Sequence, residues 1–341
     1  MAGVGPHRAR PAARRRCGLL PVLLLLRPVG GLVYFKEEFS DDDWRARWIE
    51  SDWKVGTGES GEWELAAGNI TGFPQNKGLR TVPVQDTNFS KHAPTKGKWF
   101  TISTRFEPFS SVGMDLVVQY VVKNEMADGS CDGMYLKLFP STVDQRALSN
   151  TQSYAIMFGP DICGLTKHVT HLIVRDGADD EHKAVDTKRT PMAQLDPISH
   201  VYQLTIRADR TWQIMLDNEI IEKGDLVAEL NLTASGGQYD DIGVLAFEVW
   251  QVGKNAHKEP ASGSIFDSIM ITDDQTEATQ YAETSWRPVY NAERKVHGAM
   301  LRKQFLEFHR DDDDSDDGGD DDDYDDEEDE DDEDEEDKDE V

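Results

Sequence analysis

Tyr135 and Lys137, near the middle of the chain, have the residue types and spacing of a sugar-binding surface. They lie in residues 134–139, a segment rich in apolar and aromatic side chains that is predicted to be a strand. Side chains two residues apart on a strand project from the same face. Because an aromatic ring beside a hydrogen-bonding group suits a sugar, this strand is the first candidate for a binding site.

Three cysteines occur in the sequence, and two of them, Cys131 and Cys163, flank this region. The third, Cys17, lies in a predicted leader that is removed on secretion. Two thiols in an oxidising compartment are expected to form one disulfide, which would stabilise the fold by roughly 3–4 kcal/mol. The alternative is two unpaired buried thiols. A zinc site is not expected, because the soft ligands are too few.

The expected disulfide would hold Tyr154, Met157 and Asp161 near the strand that carries Tyr135. These residues add an aromatic ring, an apolar side chain and a carboxylate to the candidate site. For any one aromatic side chain, packing in the core or on the surface is the competing interpretation. The prediction therefore depends on the combination of residues.

The C-terminal segment 310–341 is a second place where residue type indicates chemistry. Of the 31 residues from 311 to 341, 25 are Asp or Glu, and they carry most of the formal charge of −30. Such a block repels itself and is predicted to be disordered. Carboxylates are preferred Ca²⁺ ligands, so many weak calcium sites are expected, with a merely solubilising tail as the alternative. Nucleic acid is excluded as a partner, because binding it requires cations.

Residues 1–31 have the layout of a secretory signal peptide. Arginines concentrated between Arg8 and Arg16 precede the apolar run 19–26, and two glycines follow at 30–31. The run is too short to cross a bilayer, which takes about 20 apolar residues, so no membrane insertion is expected. An uncleaved apolar anchor is the alternative.

The segment 32–309 is predicted to be an all-β globular body. Short runs of β-branched and aromatic residues alternate with polar turns, which is typical of a β-sandwich. Only 289–309, with Ala292, Val296 and Met300 near helical spacing, predicts a substantial helix, expected to pack across an edge of the sandwich. Asn69, Asn88 and Asn231 each begin an Asn-x-Ser/Thr sequon and are candidate glycosylation sites on the surface.

Several sequence blocks are distinctive when they occur together. They include Val33-Tyr-Phe-Lys-Glu-Glu-Phe39, Phe158-Gly-Pro-Asp-Ile-Cys-Gly164 and Leu245-Ala-Phe-Glu-Val-Trp-Gln-Val252. With these blocks the body of the chain resembles the calreticulin family, which comprises the calreticulin and calnexin lectin chaperones. The resemblance implies a concanavalin-like jelly-roll that binds monoglucosylated N-glycans of unfinished glycoproteins in the endoplasmic reticulum lumen.

The resemblance also implies roles for individual residues. The implied sugar contacts are Tyr135, Lys137, Tyr154, Met157, Asp161, Glu248 and Trp250. Glu248 stands where the family has aspartate, which keeps the charge but lengthens the side chain by one methylene. The segments 92–98 and 253–262 are longer than is usual in the family.

A structural calcium site is implied as well. Its ligands would be the side chains of Glu38 and Asp267 and the backbone carbonyls of Gln75 and Lys77. The family usually has glutamine in place of Glu38, and the extra carboxylate is compatible with a hard cation. The alternative is that Asp267 only caps a turn.

Two further features depart from the family pattern, one within the globular body and one at the C-terminus. Where the family inserts a long proline-rich arm, only residues 222–238 are present, without proline or tryptophan. The arm docks a thioredoxin-like oxidoreductase, so that partner is expected to be lost. The chain ends in Lys338-Asp-Glu-Val341 and not in the retrieval signal Lys-Asp-Glu-Leu, which predicts weakened retrieval to the endoplasmic reticulum.

The leading hypothesis is a calcium-binding, lectin-type chaperone that also stores calcium. The alternative is a calcium buffer whose β-domain binds little or no glycan. A glycosidase needs two carboxylates about 5–10 Å apart on the sugar face, and the strand around Glu248 offers one, so no enzyme is expected.

Overall fold

The computed structural model describes residues 1, 3, 31–82, 98–125, 131–164, 167–177, 181–185, 194–233, 235–252 and 263–313, with side chains described up to residue 309. Most of the predicted leader, Asn88, the long segments at 92–97 and 253–262, and the acidic tail from residue 314 lie outside these ranges.

Fifteen strands and three α-helices make up the described part of the chain. The strands are β1 Val33–Glu37, β2 Trp48–Glu50, β3 Trp63–Ala66, β4 Gly78–Thr81, β5 Lys98–Phe109, β6 Leu116–Asn124, β7 Cys131–Phe139, β8 Ile156–Cys163, β9 Lys167–Asp176, β10 Glu181–Ala184, β11 Ser199–Ile206, β12 Thr211–Leu216, β13 Glu219–Asp225, β14 Ile242–Val252 and β15 Ser264–Thr272. The helices are α1 Trp44–Arg47, α2 Leu226–Leu230 and α3 Gln275–Asp313, and a 3₁₀ turn covers Gln145–Ala147.

The strands form two antiparallel sheets. One has eight strands in the order β13-β12-β11-β6-β15-β4-β3, with β1 also paired to β15. The other has seven strands in the order β10-β9-β8-β7-β14-β5-β2. The predicted all-β jelly-roll sandwich with a C-terminal helix is therefore confirmed.

Strand periodicity separates the core from the candidate site. On β7, Met134, Leu136 and Leu138 are fully buried in the core between the sheets, where they join β14 residues such as Phe247. Successive side chains on a strand point to opposite faces, so Tyr135 and Lys137 lie on the outer face of the seven-stranded sheet. Core packing thus fixes the strand that presents the candidate site.

The predicted disulfide between Cys131 and Cys163 is confirmed. It joins the first residue of β7 to the last residue of β8, and the two cysteines are directly opposite in the strand register. The disulfide therefore fastens the two strands that carry Tyr135, Lys137, Met157 and Asp161.

Helix α3 differs from the prediction in its start and in its position. It begins at Gln275 and not at 289, because Asp274 caps it by accepting a 2.7 Å hydrogen bond from the backbone N–H of Thr276. It ends at Asp313, so the first residues of the acidic segment are helical. The missed turns bury the small residues Ala278 and Ala282, which give a weak apolar signal in the sequence.

The helix packs on the outer face of the eight-stranded sheet and not across an edge of the sandwich. Ala282 and Trp286 contact Val121 and Val201, and the Trp286 indole donates a 2.8 Å hydrogen bond to the carbonyl of Ser199. β6 is buried along nearly its whole length on both faces. The outward side chains of β6 include the apolar Val117 and Val121, which require a cover, and α3 supplies it.

A buried ion network attaches α3 to the sheet. The Lys123 ammonium lies 3.2 Å from Glu125 and 3.0 Å from Glu293, and all three side chains are at most 3% exposed. Glu293 also accepts a 2.7 Å hydrogen bond from the backbone N–H of Ser199. The one ammonium is shared by two carboxylates, and backbone N–H groups complete both of them, so the network fixes the position of the helix without leaving a buried ion unsatisfied.

A second buried cation, His200, predicts a pH dependence of stability. Its ring nitrogens lie 2.7 Å from Asp196 and 2.8 Å from Asp217, next to Tyr290 of α3. Burial works to lower the pKa of His200, but the bonds to the two carboxylates outweigh it and raise the pKa to about 9. The stabilisation is therefore complete below the unfolded pKa of about 6.5 and is lost as the pH rises through about 9.

We expect urea unfolding to show a free energy of unfolding that falls by about 2–3 kcal/mol between pH 6 and pH 9.5 through this group. The variant His200→Gln should flatten the pH profile, whereas His309→Gln, at the exposed end of α3, should keep it. A wild-type profile that is flat over this pH interval would contradict the assignment.

Candidate functional site

The outer face of the seven-stranded sheet brings all seven predicted sugar contacts together. Tyr135 lies opposite Glu248 in the register of β7 and β14, and Lys137 lies opposite Met157 in the register of β7 and β8. Trp250 and Asp161 both lie opposite Gly133, one on each side. Tyr154, just before β8, places its ring 4.7 Å from the Lys137 ammonium.

Asp161 is the centre of a hydrogen-bonded cluster at one end of this face. It accepts a hydrogen bond from the Tyr135 hydroxyl and one of 2.7 Å from the Lys167 ammonium, and the His171 Nε2 lies 3.5 Å away. Burial works to raise the pKa of Asp161, but the bonds from His171, Lys167 and Tyr135 outweigh it and lower the pKa to about 2. Asp161 is therefore ionised at neutral pH and acts as a fixed acceptor.

Lys137 and Glu248 form the middle of the face. Their Nζ and Oε1 atoms are 2.8 Å apart, and both side chains are under 10% exposed. Tyr154 covers this ion pair and lies against the His182 ring at a centroid distance of 4.0 Å. Burial, with the charge of Glu248 adding to it, raises the pKa of Tyr154 to about 12, so its hydroxyl stays protonated.

Sequence reasoning missed three residues of this cluster: Lys167, His171 and His182. Lys167 and His171 are on β9, where His171 is opposite Gly159 of β8, and His182 is on the edge strand β10. The sequence signal that could have found Lys167 and His171 is the alternation of side chains along β9. Thr170, Leu172 and Val174 are buried, so the side chains between them point to the outer face.

The chemistry of this face is that of binding. Fixed donors, fixed acceptors and aromatic rings line it, which suits a polyhydroxylated ligand. A retaining or inverting hydrolase keeps one carboxyl protonated as an acid. Here Asp161 is held ionised and Glu248 is paired with Lys137, so the arrangement does not favour that role.

The four predicted calcium ligands also converge, in a separate cleft of about 370 Å³. Glu38 follows β1, Gln75 and Lys77 come from the loop before β4, and Asp267 is in β15. A bulge interrupts β15 after Asp267, where Ser268 has φ 49°. Such strained positions concentrate at ligand sites, which agrees with a cleft built to bind.

Asp267 shows whether this cleft fits a cation. Its Oδ2 accepts a 3.2 Å hydrogen bond from the Asn76 amide, while its buried Oδ1 has no hydrogen-bond partner. Burial raises the pKa of Asp267 to about 7, and the negative charge of Glu38 contributes. An unsatisfied buried carboxylate oxygen beside a second carboxylate fits a hard divalent cation.

The remaining ligands would have to come from other groups. Across the ranges that the structure describes, no three His, Cys, Asp or Glu side chains are grouped to hold a metal ion. Gln75 and Lys77, whose backbone carbonyls the family resemblance implies as ligands, both line this cleft. Glu38 now pairs with Lys36 at 3.0 Å, an exposed contact that is readily exchanged.

Two of the candidate glycosylation sites, Asn69 and Asn231, are exposed, as such sites require.

Within the described ranges, no helix has the length and apolar character to cross a membrane.

Comparison with known proteins identifies the family. A calreticulin family model matches residues 35–255. Human calreticulin-3 is 25% identical over 378 aligned positions, covering 85% of this chain and 91% of its own length. Rabbit (Oryctolagus cuniculus) calreticulin is 39% identical over 215 positions, covering 61% of this chain and 47% of its own length. The solved globular domain of T. cruzi calreticulin is 26% identical, with a TM-score of 0.66. The match covers 80% of this chain and 100% of that domain.

The sandwich is thus a globular domain of the calreticulin type, and the chain belongs to the calreticulin family. Membership supports a calreticulin-like role as a calcium-binding lectin chaperone, and calreticulins are chaperones of the endoplasmic reticulum lumen, not enzymes.

Proposed function

We propose that this protein is a calcium-binding lectin chaperone of the endoplasmic reticulum that binds monoglucosylated N-glycans on unfolded glycoproteins. The observation that carries the proposal is that Tyr135, Asp161 and the other implied contacts lie on one sheet face. The strands β7 and β8, which carry Tyr135 and Asp161, are joined by a disulfide. Calcium would be held by Asp267 and Glu38 in the cleft, and further calcium by the acidic tail.

The sugar contacts are pre-organised, which supports binding without a large rearrangement. Lys137, Glu248 and Asp161 are already hydrogen-bonded to protein partners. A sugar hydroxyl would therefore join existing bonds and need not order free side chains.

The shortened arm supports a restricted set of partners. β13 runs directly into α2, whose Leu226 is buried, and Thr233 then donates to Asp176 on β9. The chain closes the loop within this short stretch. The alignment with human calreticulin-3 is longer than this whole chain, so that relative carries residues that are absent here. We therefore expect no docking of the oxidoreductase that the arm recruits.

One observation favours the alternative of a calcium buffer. Lys137 and Glu248 satisfy each other and are largely buried, which reduces their availability to a ligand. Under that alternative, calcium would bind in the cleft and the tail while the sheet face stayed without a sugar.

A glycan array separates the two functions. In saturating calcium, we expect the full-length protein to bind glucose-capped oligomannose. It should bind the same glycan without its glucose at least about tenfold more weakly, because the proposed site contacts the terminal glucose ring. Removal of calcium by a chelator, followed by its restoration, serves as the control for a folded site. Absence of binding to every glucosylated glycan in calcium would leave the calcium buffer as the function.

A further inference from the structure

The C-terminal part of α3 carries an exposed apolar stripe. Glu293 is the last buried residue that the structure describes in this helix, and every residue from 298 to 309 is exposed. Leu301, Phe305 and Phe308 are 53%, 62% and 69% exposed. They follow one another at spacings of four and three residues, so they share one face of the helix. Large apolar side chains grouped in this way on a surface mark an interaction site.

Two possible covers for this stripe do not fit it. The tail of the same chain, residues 314–341, offers only two apolar side chains, Tyr324 and Val341. An anionic membrane surface is disfavoured because α3 runs directly into the segment 311–341, where 25 of 31 residues are acidic. The partner must therefore be apolar where it meets the stripe and must tolerate the acidic segment that follows.

A second copy of α3 meets both requirements when the two helices run antiparallel. In the register that sets Leu301 against Phe305 of the second copy, Gly298 is set against Phe308 of the second copy. A Cβ atom added at Gly298 would meet nothing within 4 Å, so this position is open to an incoming ring. Each ring thus lies opposite a smaller residue, and two-fold symmetry repeats both contacts.

The charge pattern favours the same register. It sets the exposed Arg294 against position 312 of the second copy, which is an aspartate. Parallel helices would instead begin the two acidic tails side by side. In the antiparallel pair the two tails begin about 18 residues apart along the helices, which is about 27 Å. This distance is well beyond the Debye length of about 8 Å at physiological salt, so the tails repel each other little.

We infer that the exposed C-terminal part of α3 is a self-association surface, through which two copies of the protein pair with their helices antiparallel. The inference is independent of glycan and calcium binding. Because α3 packs on the eight-stranded sheet, the pairing leaves the outer face of the seven-stranded sheet free. One helix pair of about three turns is smaller than a standard interface of about 1,600 Å², so association is expected at micromolar and not at nanomolar concentration.

Sedimentation velocity of the full-length protein, at about 1–200 μM and physiological salt, tests the pairing. We expect the wild-type protein to change from monomer to dimer across this range. Phe305→Ser should weaken association at least about tenfold, because it removes an aromatic residue from the centre of the contact. Leu306→Ser is the matched control, since Leu306 is 59% exposed but lies about 100° around the helix from Phe305. It should leave association within about twofold.

An exchange of charges tests the antiparallel register. Arg294→Asp should weaken dimerisation severalfold, because it sets two acidic residues opposite each other. Asp312→Arg in the same chain should restore it, and failure to restore it would contradict the register. A wild-type protein that stays monomeric at about 200 μM, or equal losses in Phe305→Ser and Leu306→Ser, would overturn the pairing. Binding of the monomer to phosphatidylserine vesicles through Phe305 would also overturn it and would assign the stripe to a membrane surface.

Discussion

Millimolar calcium should raise the melting temperature of the wild-type protein by roughly 5–10 °C, if calcium is present at about 100 times the Kd of the cleft. Asp267→Asn should abolish this rise. The buried Oδ1 of Asp267 has no partner, and burial raises the pKa of this carboxyl to about 7. A cation bound to Asp267 would offset the free-energy cost of burying a carboxyl oxygen without a partner, and would therefore stabilise the folded protein.

Asp132→Asn is the matched control for this experiment. Asp132 is also a buried carboxyl whose pKa burial raises to about 7 and whose Oδ1 has no hydrogen-bond partner. Its Oδ2 is bonded to Ser264 and Gln251, and it does not line the cleft that holds Glu38 and Asp267. Its replacement should change the stability without calcium and leave the calcium-dependent rise in Tm intact. If Asp267→Asn retained the full rise, calcium would stabilise the protein from another site.

The β-architecture could be predicted because strand patterns are local. Alternation on β7 separates Met134 and Leu136 from Tyr135 and Lys137, and the family blocks place the partners of that strand. The predicted sugar and calcium residues converge because each group lies on strands or loops whose register the core fixes. The pairing of strands that are distant in sequence, however, could be expected only from the family resemblance, because the alternation of residues within one strand does not indicate its partners.

Helix α3 and the ring contact between Trp53 and Trp99 show what a sequence pattern leaves out. The first turns of α3 are buried through Ala278, Tyr281, Ala282 and Trp286. Two of these four residues are alanines, so the apolar stripe is too weak to mark a start at Gln275. Trp53 and Trp99 come from a turn and a strand that meet only through the fold. Contacts of this kind depend on tertiary packing, which no local window of residues contains.

Asp161→Asn should weaken binding of glucose-capped oligomannose at least about tenfold, because hydrogen bonds to a charged group contribute about 1.5–3 kcal/mol each. The ionised carboxylate accepts from Tyr135 and Lys167 and lies 3.5 Å from His171 Nε2. Loss of its charge both removes an acceptor for the sugar and releases the side chains that it orients. Calorimetry with glucose-capped oligomannose gives the affinity, and near-ultraviolet circular dichroism shows whether the fold is retained.

Glu181→Gln is the matched control, since Glu181 is on the edge strand β10 of the same sheet and its side chain is 64% exposed. It changes the charge of the protein by the same amount but lies outside the Asp161 cluster, so affinity should stay within about twofold, as expected for a surface charge. If both variants keep the wild-type affinity and fold, the Asp161 end of the face does not contact the glycan. The sugar would then have to bind at the other end of the face, beside Tyr154 and Lys137.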